Sequence, residues 1–168
     1  MIWIRADQHA SNQKDHQQLT SVLKNGSVIT FGNFDGLHLG HRNLLQDVTL
    51  SALNLRLPSV VFTFKPHPRI VLNPELPFHR MFDHNDQFDV LKTLGVDVLF
   101  EENFTKATAE ISARDFFTRY VVGIFKAKHI VVGYDFSFGN QREGNLDFLK
   151  KTLRRICNPT DCEAALLY

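Results

Sequence analysis

Short apolar runs of strand length alternate along this chain with longer segments in which apolar residues recur at helical spacing. Each short run ends in glycine or polar residues, which is typical of parallel strands followed by ligand-binding loops. This pattern predicts strands at residues 28–31, 59–64, 96–100 and 129–133. It predicts helices at residues 41–55, 81–94, 112–122 and 145–155. The fold class that we expect from the pattern is therefore α/β with a parallel sheet.

Two of the predicted helices have clear apolar faces. Ser112 is a residue type that caps helix N-termini, so the third helix is expected to begin beside it. The positions expected to face the core are Leu44, Leu45, Val48 and Ala52 in the first helix and Phe116, Phe117, Tyr120 and Val121 in the third.

The composition is that of an ordinary globular domain. The chain has 168 residues, of which 43% are hydrophobic and 22% are charged, and this balance excludes a disordered chain. A chain of this length is expected to form one domain. Its net charge of +1 provides no overall field that would attract nucleic acid or an acidic membrane. We therefore expect partners to be recognised locally, with neither nucleic acid nor a membrane among them.

Targeting signals do not stand out in the sequence. No apolar run has the length that spans a bilayer, and the first residues lack the apolar core of a signal peptide, so a cytoplasmic protein without membrane contact is expected. Cys157 and Cys162 are the cysteines of the chain, and we expect two thiols without a structural role.

The segment from Gly32 to His41 joins the first predicted strand to the first predicted helix. Such a junction directs backbone N–H groups and the positive end of a helix dipole at one point, which suits a phosphate. His38 and His41 have the i, i+3 spacing that lets both rings face the same anion. Histidines in such a place also cap helices. The surrounding glycines at 32, 36 and 40 favour phosphate binding, because they let the main chain approach a ligand.

A metal site is the alternative interpretation of the same segment. One carboxylate and two imidazoles can hold zinc, and Asp35, His38 and His41 supply this set. The glycine-rich turn around them favours the phosphate interpretation.

Two further loops follow predicted strands. Pro66 and Pro68 fix the backbone of a rigid turn that either holds a planar ring or simply ends a strand. In the other loop, Asp135 is suited to Mg²⁺ or to an Asx-turn, and Phe136 and Phe138 lie on one side if the backbone is extended. Arg142, farther along, could reach a phosphate.

Three blocks of the sequence, taken in order, resemble the adenylyltransferase module of prokaryotic bifunctional riboflavin kinase/FMN adenylyltransferases, also called FAD synthetases. The blocks are Gly32-Asn33-Phe34-Asp35-Gly36-Leu37-His38-Leu39-Gly40-His41, Val61-Phe62-Thr63-Phe64-Lys65-Pro66-His67-Pro68-Arg69 and Val131-Val132-Gly133-Tyr134-Asp135-Phe136-Ser137-Phe138-Gly139. The resemblance extends over residues 28–149.

The resemblance implies a Rossmann-like nucleotidylyltransferase fold with three αβα layers. It also implies transfer of AMP from MgATP to FMN, giving FAD and pyrophosphate, with His38 and His41 as catalytic residues and Asp135 as the metal ligand. The implied ATP site comprises Gly32, Asn33, Phe34, Asp35, Gly36, His38, Gly40, His41 and Arg142. The implied FMN site comprises Phe64, Pro66, His67, Pro68, Phe136 and Phe138.

The resemblance also predicts how the chain is divided into segments. Residues 1–27 are expected to be a lead-in segment, 28–155 the adenylyltransferase-like domain and 156–168 a divergent tail. The riboflavin kinase domain of the family and its Ser/Thr-rich arginine motif are absent, so we expect a C-terminally truncated module with impaired activity. Two alternatives stay open: an inactive nucleotide- or flavin-binding fragment, and an adenylyltransferase for another small phosphate ester such as phosphopantetheine.

Overall fold

One parallel sheet organises the chain. The computed structural model describes residues 1–6, 13–78, 84–156 and 163–166. In chain order the described strands are β1 (Ile2–Arg5), β2 (Ser27–Phe31), β3 (Ser59–Lys65), β4 (Val98–Asn103), β5 (Ala127–Val132) and β6 (Glu163–Leu166). Their order across the sheet is β1-β4-β3-β2-β5-β6, and every neighbouring pair is parallel. The predicted α/β class is confirmed.

Helices connect these strands and cover the sheet. The described α-helices are α1 (Gln13–Val22), α2 (Leu39–Leu55), α3 (Pro68–Leu72), α4 (His84–Thr93), α5 (Lys106–Ala109), α6 (Ala113–Phe116) and α7 (Leu146–Ile156). A π-helical segment, Phe117–Ile124, continues α6 directly. Within the described ranges, no helix is both long enough and apolar enough to cross a bilayer.

The predicted elements lie close to the observed ones. Helix α2 begins two residues before its predicted start, because the imidazole of His38 caps it. The side chains predicted to face the core from α6 and its π-helical continuation are all buried. Of the predicted helix at 81–94, residues 81–83 lie outside the described residues, and α4 forms the remainder.

The two outermost strands were not predicted. Strand β1 pairs with β4, and its Ile4 is fully buried, so part of the expected lead-in segment belongs to the sheet and the core. Strand β6 pairs with β5 and comes from the tail that was expected to diverge. Both strands have only four residues, which leaves little apolar pattern to detect. Cys157 and Cys162 lie outside the described residues.

The two faces of the sheet bury different kinds of side chain. On one face, aromatic rings surround Phe62 at centroid distances between 5.1 and 5.9 Å: Phe31, Phe64, Phe100, Phe116, Tyr120 and Phe125. On the other face, Val61 and Leu99 pack against Leu45 and Leu91 from the helices above. Since successive residues of a strand point to opposite faces, the alternation along β3 assigns Phe62 and Phe64 to the first face.

The topology creates a crevice between β2 and β5. From β2 the chain crosses by α2 to β3 on one side, whereas β5 pairs with β2 on its other side. The loops that follow two such strands diverge, and ligands of open α/β sheets bind in the crevice between them. The loop with the two histidines and the loop with Asp135 are the two loops that leave this point.

Candidate active site

The loop after β2 is held in an unusual backbone conformation. Phe34 and Leu37 have φ angles of 50° and 40°, in the left-handed region that side chains disfavour, and Gly36 between them has a φ of 73°. Both side chains are almost completely buried against Val61 and Leu99. Burial of these two side chains therefore offsets the backbone strain and holds the loop in place.

His38 caps helix α2. Its Nδ1 accepts a hydrogen bond from the backbone N–H of His41 at 3.3 Å. A neutral imidazole whose Nδ1 accepts a hydrogen bond carries its proton on Nε2. The side chain of His38 is exposed, so this Nε2–H is a donor directed away from the helix backbone and accessible to a ligand.

The ring of His41 stacks on that of His38, with 3.6 Å between the centroids and 23° between the planes. Among the described residues, the buried Nδ1 of His41 has no hydrogen-bond partner. Burial and the neighbouring His38 ring lower the pKa of His41, while Asp135 and Asp35 act in the opposite direction. His41 is therefore neutral at physiological pH, and its unsatisfied ring nitrogen is typical of a ligand-binding site.

The loop after β5 lies beside the start of α2, since a Cβ on Gly133 would come 3.9 Å from the side chain of Leu44. Asp135, two residues farther along, acts to raise the pKa of His41. Asp135 is exposed and lies just beyond the carboxyl end of β5, where the backbone N–H of Phe136 donates to the carbonyl oxygen of Gly133. The structure thus brings together the predicted metal ligand and the predicted phosphate-binding histidines, which are far apart in sequence.

Small residues keep the histidine loop compact. A Cβ atom on Gly40 would lie 3.3 Å from the ring of His38, and one on Gly32 would lie 3.0 Å from the ring of Phe34.

The carbonyl oxygen of Asn33 accepts a hydrogen bond from the Gln87 side chain at 3.2 Å. The side-chain Oδ1 of Asn33 is buried and has no hydrogen-bond partner in the described part of the chain. Asn33 and His41 therefore both present unsatisfied polar atoms at the predicted ATP site.

The loop after β5 is closed by its own backbone. Phe138 and Gly144 exchange two backbone hydrogen bonds of 2.8 and 2.9 Å, and Gly139 lies against helix α6. A Cβ on Gly139, whose φ is 76°, would come within 2.5 Å of the backbone nitrogen of Ala113. Arg142 donates from Nε to the hydroxyl of Ser137 at 2.6 Å, so its guanidinium is anchored on the loop that carries Asp135.

The predicted FMN residues occupy two environments. The rings of Phe64, Phe136 and Phe138 join the aromatic cluster around Phe62, where Phe136 stacks on Phe31 at 5.9 Å and on Phe138 at 5.4 Å. Phe138 is buried, whereas Phe64 and Phe136 keep part of their surface exposed. Phe64 and Phe136 are therefore the two members of this group that offer an apolar surface to a ligand.

The proline turn after β3 is a rigid shelf. A cis peptide bond joins Lys65 to Pro66, and Pro68 is the first residue of α3. Nδ1 of His67 caps this helix by accepting from the backbone N–H of Arg69 at 3.1 Å, and its ring stacks on Phe78. His67 is only 8% exposed, so it supports the shelf from below while the prolines form its surface.

Sequence reasoning missed a cleft beside this shelf. It has a volume of about 230 Å³ and lies at the carboxyl ends of β1, β4 and β3, where it is lined by Arg5, Lys65, Pro66, Glu101 and Asn103. Lys65 and Pro66 belong to the second sequence block, but for the rest of the cleft the signal in the sequence is that a charged or polar residue ends each of these strands. That signal could not be used without predicting β1.

Glu101 fixes one wall of the cleft. Its carboxylate is buried and accepts from the indole Nε1–H of Trp3 at 2.8 Å. The same oxygen lies 3.4 Å from Nε of Arg5, and the guanidinium of Arg5 lies 4.3 Å above the ring of Trp3. Arg5 is therefore a cation of fixed orientation rather than a mobile surface side chain.

The zinc interpretation is not supported by the geometry. In the described part of the chain, no three side chains of the types His, Cys, Asp and Glu are grouped closely enough to hold a metal ion. Asp35, His38 and His41 thus do not form the set of ligands that zinc requires.

Comparison with known proteins identifies the family of this chain. The sequence model of the FAD synthetase family matches residues 20–162, which include both loops and most of the sheet. The chain belongs to the FAD synthetase family. The family assignment made from the three sequence blocks is confirmed, and the match also includes most of the segment that was expected to diverge.

Curated relatives of this FAD synthetase family member are bifunctional riboflavin kinase/FMN adenylyltransferases. The protein of Buchnera aphidicola subsp. Acyrthosiphon pisum is 33% identical over 77% of this chain, and that of Listeria monocytogenes is 34% identical over 74%. The Escherichia coli K12 protein is 33% identical over 79% of the chain. The matches cover 40 to 42% of these relatives, so the chain spans about two fifths of their length.

A solved structure shares the fold over nearly the whole chain. It is described as a macrolide-efflux protein from Streptococcus pneumoniae, and it superposes with a TM-score of 0.74 at 29% identity. The superposition covers 99% of this FAD synthetase family chain and 51% of the other chain. Strands β1 and β6, which sequence analysis missed, therefore belong to a fold that a solved structure contains.

Proposed function

We propose that this chain transfers AMP from MgATP to FMN, releasing pyrophosphate and forming FAD. The observation that carries the proposal is the stacked pair of His38 and His41. The pair lies at the crevice between β2 and β5, in a chain of the FAD synthetase family. The pair stands at the N-terminus of a helix of 17 residues, whose dipole attracts phosphate.

The chemistry requires alignment and charge stabilisation by residues of this loop. A phosphate oxygen of FMN forms a bond to the α-phosphorus of ATP while the bond from that phosphorus to the departing pyrophosphate breaks. Negative charge grows on the non-bridging and leaving oxygens. The Nε2–H of His38 is a fixed donor for one of them, and neutral His41 beside it supplies a second polar contact. Asn33, Asp35 and the glycine backbone shape the same pocket.

Asp135 and Arg142 complete the nucleotide site in this proposal. Mg²⁺ binds one or two carboxylates together with substrate phosphates, and the exposed carboxylate of Asp135 next to His41 fits this requirement. When bound, the metal supplies positive charge to the triphosphate. Arg142, anchored by Ser137, carries a second positive charge on the same loop.

FMN is placed across the end of β3. In this arrangement its phosphate points to the histidine loop, and its ring lies on the shelf of Pro66 and Pro68 beside the half-exposed rings of Phe64 and Phe136. His67 and Phe138 support these surfaces from within, since both are buried.

Incubation of the purified chain with FMN and MgATP is expected to produce FAD and pyrophosphate in equal amounts, detected by chromatography and by a pyrophosphate assay. Binding of both substrates without FAD formation would identify an inactive binding fragment instead. Pyrophosphate release with phosphopantetheine but not with FMN would identify an adenylyltransferase with a different acceptor.

Asp135→Asn is expected to raise the Mg²⁺ concentration needed for half-maximal FAD formation by at least about tenfold, because an amide oxygen replaces a charged ligand. The measurement is the initial rate of FAD formation across a magnesium titration. Asp147→Asn, an exposed acidic residue in the first turn of α7, is the matched control and should leave this concentration unchanged. If the wild type, Asp135→Asn and Asp147→Asn need the same Mg²⁺ concentration, Asp135 is not a metal ligand.

A further inference from the structure

We propose, on the basis of the function proposed above, that the cleft lined by Arg5, Lys65, Pro66, Glu101 and Asn103 binds the pyrimidine-dione edge of the flavin ring. It would thus be the part of the site that distinguishes FMN from other phosphate esters. The size, the chemistry and the position of the cleft each support this assignment.

The size of the cleft limits what it can hold. Pockets that enclose a complete small-molecule ligand have volumes of about 300 to 1,000 Å³. The cleft measures about 230 Å³, so it receives one end of a larger ligand rather than a whole nucleotide or flavin. The remainder of that ligand must lie outside it, over Pro66 or over the histidine loop.

The polar groups of the cleft match one end of the flavin. The pyrimidine-dione ring carries two carbonyl oxygens with an N–H group between them. Lys65 and Arg5 are cationic donors for carbonyl oxygens, and the side-chain amide of Asn103 has both a donor and an acceptor. Arg5 is held in place by Glu101, whose charge it balances, so the cleft keeps a net positive charge from Lys65. This set suits an electron-rich carbonyl edge and disfavours a purely apolar group.

The position of the cleft follows from the strand order. Lys65 alternates with Phe64 on β3, so it lies on the sheet face that also buries Phe34 and Leu37 of the histidine loop. Neighbouring strands are about 4.8 Å apart, which puts the end of β4 roughly 10 Å from the end of β2. The ribityl chain of FMN separates its phosphate from its ring. A phosphate at the histidine loop therefore leaves the ring beyond β3, where the cleft is.

The two ends of the flavin ring would then meet matching surroundings. Pro66 lines the cleft and follows Phe64 and Lys65 at the end of β3. A ring lying over Pro66 presents its polar edge to Lys65 and Asn103, and its apolar benzenoid end to Phe64. This orientation satisfies both the charged cleft and the aromatic surface.

The experiment measures binding of FMN and of N3-methyl-FMN, in which the ring N–H is blocked, by quenching of flavin fluorescence. The wild-type chain is expected to bind the methylated analogue about tenfold more weakly than FMN, the cost of an unmade buried hydrogen bond. Asn103→Leu should bind FMN about tenfold more weakly and lose the discrimination between the two flavins. Lys65→Met should weaken binding of both flavins by about ten- to a hundredfold.

Matched measurements separate this role from a structural one. Lys92→Met, at an exposed lysine of α4, should keep wild-type affinity for both flavins. The affinity of every variant for MgATP should be unchanged, and Lys65→Gln, which keeps a polar side chain, replaces Lys65→Met if that variant does not fold. Wild-type flavin affinities and discrimination in Asn103→Leu and in the Lys65 variant would overturn the assignment. If the wild-type chain discriminates between FMN and N3-methyl-FMN but forms no FAD, the proposed activity is wrong and the subsite stands. If the wild-type chain does not bind FMN, both proposals are wrong.

Discussion

His38→Asn is expected to lower the turnover number for FAD formation about 100- to 1,000-fold, while the free energy of unfolding stays within about 0.5 kcal/mol of the wild-type value. The asparagine side chain can still accept a hydrogen bond from the backbone N–H of His41, as Nδ1 of His38 does at 3.3 Å. It has no group at the position of Nε2–H, however. The variant therefore removes the phosphate donor and keeps the helix cap.

The measurement pairs steady-state kinetics with denaturant unfolding. His38→Ala serves as the comparison, because it loses both the phosphate donor and the helix cap. Its free energy of unfolding should be about 1 kcal/mol lower than that of the wild type. If His38→Asn keeps wild-type turnover, or if its loss of activity is matched by an equal loss of stability, the imidazole is a structural cap only.

Phe62→Ala is expected to lower the free energy of unfolding by about 3–5 kcal/mol, a large part of the stability of a domain of this size. Phe62 is completely buried on β3, and rings from β2, β4, α6 and the π-helical segment pack around it on one face of the sheet. Truncation removes apolar contact area and leaves a cavity that these surrounding rings cannot fill without moving.

Equilibrium unfolding in urea, followed by far-UV circular dichroism, measures this loss directly. Phe62→Leu is the matched control, since it keeps most of the volume and should cost about 1.5 kcal/mol or less. A loss below about 1 kcal/mol for Phe62→Ala would mean that the aromatic face repacks freely and is not the stabilising core of the sheet.

The central strands were predictable because they are buried on both faces. Strands of this kind are nearly continuous apolar runs, and β2 and β3 both have this character. The edge strand β1 has only four residues and ends in Arg5, so its pattern does not differ from that of a loop. Its place became clear only through pairing with β4, which no local pattern can indicate.

Packing also determined where two of the predicted flavin residues lie. His67 and Phe138 have the residue types of a flavin site, yet the structure uses one as a helix cap and buries the other. The cleft at Arg5 shows the opposite case. Arg5, Glu101 and Asn103 belong to none of the three sequence blocks, and three strand ends that are distant in sequence had to meet before the cleft existed.

The sequence by itself determined the α/β class, the family and the histidine loop, because a strand, a glycine-rich turn and a helix start are consecutive and their chemistry is local. Tertiary structure decided which strands are neighbours, and so brought the loop with Asp135 beside the helix that begins at the histidine loop and formed the cleft at Pro66. The physical reason is that strand order depends on long-range pairing and on the burial of whole faces, which residue spacing along the chain does not encode.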